Sequence, residues 1–250
     1  MRMATWNVNS LKARLGRVEV WLAQHEPDVI CLQETKLADG AFPHLAFQAL
    51  GYEACAWGSG GRNGVAIASK VGLTDVAKGF GEEARLVSAV CGGIRMASVY
   101  VPNGRMVGTE HYEAKLVWLS DLGAWLDRLD ANIPVAVCGD FNIAPDDRDV
   151  WDPTAVHGAT HVSEPERAAH AALLHRGLVD AFRLHHEDGG TYSWWDYRAG
   201  NFHKGMGMRI DHVLLSASLA PRCTGARIDR EARKGKLPSD HAPVIVDLSD

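Results

Sequence analysis

The chain has 250 residues, 31 acidic against 26 basic, so its formal charge is −5 with histidine neutral, and 46% of it is hydrophobic. With 23% charged residues and no low-complexity block, it suits a folded protein and excludes a disordered or fibrous one. No apolar run approaches the ~18 to 20 residues of a membrane span, and net acidity counts against a phosphate-rich partner, because phosphates are neutralised by Lys and Arg.

The opening MRMATWNVNSLKARLGRVEV lacks a secretory core, which places the protein in the cytoplasm; it reads as a strand at 3–8 followed by an amphipathic helix at 11–24. Short apolar runs bounded by Gly, Pro or Asn predict strands at 29–32, 65–69, 86–91 and 96–101. Gly92-Gly93 joins the last two as a hairpin, since glycines readily supply positive φ. A second helix is predicted over 110–129, where Leu116, Leu119, Leu122 and Leu126 form one apolar stripe. After a strand at 135–138, the capping-box pattern Ser163-Glu164-Pro165-Glu166 opens a third helix that runs to about Gly177. Strands at 210–215 and 244–248 close the chain. Many strands with few helices indicate a mixed α/β protein with more than one sheet. Without a linker or repeat, residues 1–250 read as one domain.

Five cysteines, Cys31, Cys55, Cys91, Cys138 and Cys223, are odd in number, widely separated and contain no C-x-x-C pair. They support neither a disulfide framework nor a zinc ribbon. Cys31, Cys91 and Cys138 sit in apolar runs, where a thiol behaves as a small buried hydrophobe.

The informative residues are acids, amides and one histidine at strand ends. Asn7 follows the first strand, Glu34 the second, Asp140 and Asn142 a later buried one; Asp211 lies among apolar neighbours, and Asp240-His241 precede the last strand. Period-two alternation aims Asp140 and Asn142 the same way. Singly each has an ordinary explanation: a turn residue, a surface acid, a cap, a loop. Together they fall where α/β sheets gather ligand sites. Clustered carboxylates and amides without paired thiolates suit a hard ion, Mg²⁺ or Mn²⁺. Beside an Asp base and a His, such an ion fits phosphoester hydrolysis. Zinc is disfavoured, because no H-E-x-x-H occurs.

Seven motifs in order, W-N-V-N-S (6–10), Q-E-T-K (33–36), V-Y-V-P-N-G (99–104), G-D-F-N-I-A-P (139–145), Y-S-W-W-D-Y-R (192–198), M-R-I-D-H (208–212) and P-S-D-H-A-P-V (238–244), resemble the exonuclease III family of apurinic/apyrimidinic endonucleases, within the endonuclease/exonuclease/phosphatase superfamily. The resemblance implies a four-layered α/β sandwich of two packed mixed sheets flanked by helices. It implies a Mg²⁺-dependent nuclease, with Mn²⁺ a substitute, that cuts duplex DNA 5′ to abasic sites and trims or dephosphorylates blocked 3′ ends. Glu34 looks like the principal metal ligand, with Asn7 and Asp240 near the same ion. Asp140 matches the general base, Asn142 a holder of water and phosphate, and His241, backed by Asp211, the group at the scissile phosphate. Asp140, Asn142 and His241 equally suit a second ion, so the metal count and the base stay open. Tyr100 and Asn103 match further phosphate contacts, with Lys36 and Arg85 as candidates. Trp194, Met208 and Ile210 match an apolar pocket for a base-less sugar, which swings out of a duplex cheaply; core packing is the other reading of Trp194. Arg198 lies where the family inserts a side chain into DNA. Family members act as monomers.

Residues 191–236 hold nine basic and four acidic side chains, a local +5 that leaves −10 elsewhere. Such asymmetry can place a basic face on an acidic protein, although a solvated loop explains 222–236 equally. Two rivals stand beside the nuclease: a phosphomonoesterase or lipid phosphodiesterase of the superfamily, and a non-catalytic DNA-end binding module.

Overall fold

A computed structural model describes residues 1–249. Strands β1 (Arg2–Asn7), β2 (Val29–Gln33), β3 (Glu53–Trp57) and β4 (Val65–Ser69) begin one sheet. Strands β5 (Thr74–Lys78), β6 (Leu86–Cys91), β7 (Ile94–Tyr100), β8 (Val135–Asp140), β9 (Leu178–Asp180) and β10 (Asp211–Ser216) build a second, and β11 (Cys223–Ile228) and β12 (Val244–Leu248) return to the first. The spatial orders are β11-β12-β1-β2-β4-β3 and β5-β6-β7-β8-β10-β9. Each sheet carries one parallel pair, β1 with β2 and β7 with β8, among antiparallel neighbours. Parallel strands need a long crossover. Helices α1 (Leu11–His25) and α3 (Glu110–Leu126) supply the two crossovers.

Alternation along the strands sorts side chains between two kinds of core. Met3, Cys31 and Ile67 of the first sheet meet Val87, Met96, Cys138 and Val213 of the second in the space between the sheets. The outer face of the first sheet buries Trp6, Leu32 and Ala66 under Val18, Trp21 and Leu22 of α1 and Phe47 of α2 (His44–Ala49). The outer face of the second packs Val99, Val137 and Leu214 against Leu119 and Leu122 of α3 and Leu173 of α4 (Glu164–Leu174). Helix, sheet, sheet and helix make the four layers that the motifs imply. Cys31, Cys91 and Cys138 are buried and free, as their apolar runs suggest.

All eight sequence-read strands are present, and the helices end within a few residues of their expected limits. The Ser163–Glu166 capping box forms, and Gly92 and Gly93 take φ of 56° and 80° in the β6–β7 hairpin. Four strands had no sequence signal: β3, β5, β9 and β11. They are the four sheet edges. All five residues of β5 are exposed and only one of β11 is buried, so neither shows an apolar run.

Candidate active site

Strands from both sheets end together at one rim of the sandwich. In register, Asn7 of β1 stands opposite Gln33 of β2, and Asp140 of β8 opposite both Tyr100 of β7 and Asp211 of β10. Beneath them, the Gln33 amide donates to Thr5 Oγ1 at 3.0 Å and to Ser98 Oγ at 3.1 Å, a buried polar floor bridging the sheets. Just beyond the strands the backbone turns left-handed, with φ of 49° at Glu34, 54° at Lys36 and 52° at Asn142. Non-glycine residues rarely adopt such angles, and they cluster at functional sites. Here they differ from the sequence expectation: β8 ends at Asp140, and a left-handed turn, not strand alternation, orients Asn142.

The Asn7 amide donates to Glu34 Oε1 at 3.0 Å and to Asp140 Oδ2 at 2.9 Å, so one side chain spaces two carboxylates. The other Asp140 oxygen accepts the Asn142 main-chain N–H at 2.9 Å. His241 Nδ1 meets Asp211 Oδ2 at 2.8 Å, while its Nε2 lies 3.7 Å from Asp140 Oδ2. A carboxylate that can only accept fixes the proton on Nδ1. Ser193 supports Asp211 from behind, donating to Oδ2 at 2.6 Å.

Burial opposes charge on His241, but Asp211 and then Asp140 outweigh it and raise the imidazolium to about 10. Burial also raises Asp140, to about 7, against the opposing pull of His241. Burial, then the Glu34 and Asp140 carboxylates, push the Tyr100 phenol well above its usual range. It stays protonated and able to donate.

The remaining sequence-predicted residues divide. Asp240 joins the rim, accepting from Asn9 at 3.0 Å and from Trp194 Nε1 at 3.1 Å. Lys36 pairs with Glu34 at 3.0 Å and donates to Asn9 at 2.6 Å. Asn103 donates to Asn142 Oδ1 at 3.2 Å. Arg85 is turned inward, its guanidinium 4.9 Å from the Tyr100 ring centroid, and it pairs with Glu83. Arg198 lies apart, 88% exposed and paired with Asp196. Met208 and Ile210 pack with Val150 and Val162 under the half-buried Trp194, and Ile210 is 1% exposed. Ile210 backs this wall and presents almost no surface.

The basic surplus of 191–236 is also largely consumed. Arg209 is buried against Asp149 and Asp180, Arg227 pairs with Asp247, Lys234 with Glu231, and Arg230 and Arg233 lie over the Phe202 ring. The segment ties itself to the protein more than it forms a bare basic face. Sequence reasoning passed over Asn9, Ser193, His161, Lys115 and Glu166. Asn9 and Ser193 lie inside two of the seven motifs. Glu166 showed only as the acid of the capping box; His161 and Lys115 carry no motif, and Lys115, in an amphipathic helix, reads as a solvated residue.

Four carboxylates, Glu34, Asp140, Asp211 and Asp240, meet two cations, Lys36 and His241, at this rim. Ligand atoms of Asp140, Asp211 and His241 lie within 4.8 Å of one another, and the buried Asp211 Oδ1 has no hydrogen-bond partner. Two surplus negative charges and an orphaned carboxylate oxygen fit a divalent cation held by oxygen donors. A carboxylate-backed imidazolium beside such a cation defines a metal-assisted phosphoester hydrolase.

Comparison with known proteins narrows that class: the model of the Endonuclease/Exonuclease/phosphatase family matches residues 4–241, and the chain belongs to this family. Exodeoxyribonuclease III of Haemophilus influenzae is 35% identical over 98% of both chains. Among solved structures, the 3′ phosphatase NExo from Neisseria bound to a product DNA hairpin matches with TM-score 0.96 and 37% identity over 100% of both chains. An AP endonuclease from Archaeoglobus fulgidus matches with TM-score 0.94 and 36% identity, again over 100% of both. The motif resemblance to exonuclease III is borne out, and the chain is an enzyme of the nuclease type.

Proposed function

We propose that this chain is a Mg²⁺-dependent DNA repair nuclease that cuts duplex DNA 5′ to abasic sites, leaving a 3′-hydroxyl, and that the same site removes nucleotides and phosphate from blocked 3′ ends. It works as a single-domain monomer in the cytoplasm; among the described residues no helix is long and apolar enough to cross a membrane. The observation that carries the reading is the line Asp140, His241, Asp211, with His241 Nε2 3.7 Å from one carboxylate and Nδ1 2.8 Å from the other.

Glu34, with Asn7 and Asp240 nearby, would hold a Mg²⁺, which would supply Lewis-acid polarisation of the scissile phosphoryl group. The protein residues do the rest. Asp140, raised to about 7 by burial, takes the proton of the attacking water as its oxygen bonds to phosphorus and the P–O3′ bond breaks, the leaving 3′ oxygen taking a proton from solvent. The His241 imidazolium, held charged by Asp211, donates from Nε2 to the phosphoryl oxygen as negative charge builds there. Tyr100, Asn103 and Asn142 orient the phosphate, with Lys36 toward the flanking strand, while Arg85 acts from behind the Tyr100 ring. Asp140, Asn142 and His241 are also the donors available to a second ion. Trp194 and Met208 face the sugar, with Ile210 behind them, and Arg198 reaches the DNA from the rim.

A second reading, in which 3′-end processing dominates over abasic incision, is favoured by the state of the sugar wall. His161, Val162, Met208 and Ile210 are each at most 9% exposed, so little room is open there for a swung-out sugar. A 5′-labelled duplex with one abasic site, run beside a nicked duplex bearing a 3′-phosphate, separates the readings by product polarity and rate. No Mg²⁺-dependent product on either substrate would sink both. Faster turnover of inositol phosphate or sphingomyelin than of DNA would transfer the site to a different branch of the superfamily.

A further inference from the structure

The buried ion pair behind the rim shows how the two phosphate-side asparagines are held. Lys115 on α3 and Glu166 on α4 meet with both side chains fully buried. The Lys115 ammonium has three protons, and three acceptors surround it: the Glu166 carboxylate, Asn142 O at 2.6 Å and Asn103 O at 3.4 Å. Glu166 in turn accepts from Thr160 Oγ1 at 3.2 Å and His161 N at 3.0 Å through Oε1, and from Ser163 through Oε2. His161 Nδ1 returns to Asn142 O at 2.6 Å. One ion pair therefore ties together three loops that reach the rim, around Asn103, Asn142 and His161. The approach is close: a Cβ on Gly104 would lie 2.9 Å from Lys115 Cδ.

Stability alone does not explain this arrangement. Replacing both partners of a buried ion pair with apolar groups of similar volume is often neutral or stabilising. Apolar groups cannot, however, donate to the main-chain carbonyls of Asn142 and Asn103. Asn142 holds a left-handed φ of 52°, and its carbonyl is fixed by two donors, the Lys115 ammonium and the His161 ring. That carbonyl's direction sets where the Asn142 amide points, toward Val101 O at 3.0 Å and Asn103 Nδ2 at 3.2 Å.

We propose that Lys115 is a positioning residue for the nuclease reaction, anchored by Glu166 and acting through the main-chain carbonyls of Asn142 and Asn103; this rests on the reading of those asparagines as phosphate contacts. The test is the double variant Lys115→Met/Glu166→Leu, which keeps the volume and removes the donors. Steady-state kinetics on a nicked duplex bearing a 3′-phosphate and on an abasic duplex are measured beside the melting temperature. The expected result is a folded protein whose kcat falls ~10- to 100-fold while KM stays within about threefold, the cost of misplacing a contact by roughly an ångström. Asn142→Ala in that background should add much less than it does alone, because both changes act through one residue. A folded double variant with wild-type kcat, or full additivity with Asn142→Ala, overturns the proposal. Wild-type kinetics for Asn142→Ala by itself overturns the reading of the site, and the proposal with it. Should the double variant not fold, Lys115→Arg carries the test. It keeps the charge for Glu166, but a planar fork cannot reproduce three tetrahedral donors. A fall in kcat of about threefold or more supports the proposal, and an unchanged kcat overturns it.

Discussion

Two buried charged clusters flank the start of β10, and they are built on opposite plans. On one side Arg209 bonds Asp149 at 2.6 Å and Asp180 at 2.7 Å, Arg183 also pairs with Asp149, and His212 accepts from Arg209 at 3.0 Å. Two acids meet two guanidinium groups, so the charge closes within the protein. Burial would raise the Asp180 carboxyl, but the Arg209 guanidinium holds it below its ordinary value, and burial, followed by Arg209, keeps His212 neutral. On the other side Asp140 and Asp211 share one imidazole, and the Asn7 amide also donates to Asp140. Burial drives Asp140 upward to about 7, and Asp211 keeps an oxygen with no partner. Arginine makes a carboxylate cluster structural. Without it, negative charge stays open for a cation and a proton stays available for chemistry.

The largest expected effect tests the open cluster. Asp140→Asn keeps the shape but turns one of two accepting oxygens into a donor and removes the base, and kcat should drop ~10²- to 10⁴-fold in a protein that still folds. Retained turnover would move the base elsewhere. Chelation should abolish hydrolysis reversibly. Saturating Mg²⁺ should stabilise the folded state by about 2.7 kcal/mol at a hundred times its Kd, read as a rise in melting temperature that Asp211→Asn diminishes and Arg209→Met leaves intact. The closed cluster should respond in the opposite sense. Arg209→Met strands the buried Asp180 and leaves Asp149 with Arg183 alone, and should cost about 3 to 5 kcal/mol of stability. Turnover per folded molecule at a permissive temperature should stay near wild type. A large loss of kcat without a loss of stability would erase the distinction between the clusters.

What the sequence revealed follows the same division. The inner strands and both crossover helices were legible because burial on two faces writes a continuous apolar run, as in Val65–Ser69. The edge strands were not, because β5 is exposed throughout, β3 and β11 are mostly half-buried or exposed, and β9 is only three residues long. Asn7, Glu34, Asp140 and His241 stood out as polar residues breaking apolar strand ends. Lys115 and Glu166 did not, since one looks like a surface residue of an amphipathic helix and the other like an ordinary capping-box acid until two helices are packed together. Arg209 was counted as part of a basic face. Only the fold shows that it faces two acids.

The pH dependence of stability sharpens the comparison with a smaller effect. In chelator, the folded state keeps the His241 proton up to about pH 10, whereas the unfolded chain releases it near the ordinary histidine value of 6.5. Its contribution is complete below pH 6.5 and is lost as pH climbs toward 10. Asp140, raised to about 7, has the same sign at lower pH. Melting temperature should therefore decline through neutral and alkaline pH, and Asp211→Asn should flatten the upper part of that decline. A curve for Asp211→Asn that parallels wild type would mean that Asp211 does not hold the imidazolium.

The smallest effect concerns Arg198, a proposed DNA contact that lies apart from both clusters. Its guanidinium is 88% exposed and paired with Asp196 two residues away, so it brings little uncompensated charge to the rim. Arg198→Ala should leave kcat unchanged, raise KM by about twofold at low salt, and change the slope of log KM against log salt by roughly one phosphate's worth at most. If the slope changes by clearly more than that, DNA must break the Asp196 pair on binding. The rim would then recruit charge that the free protein keeps closed, and the line between closed and open clusters would depend on substrate.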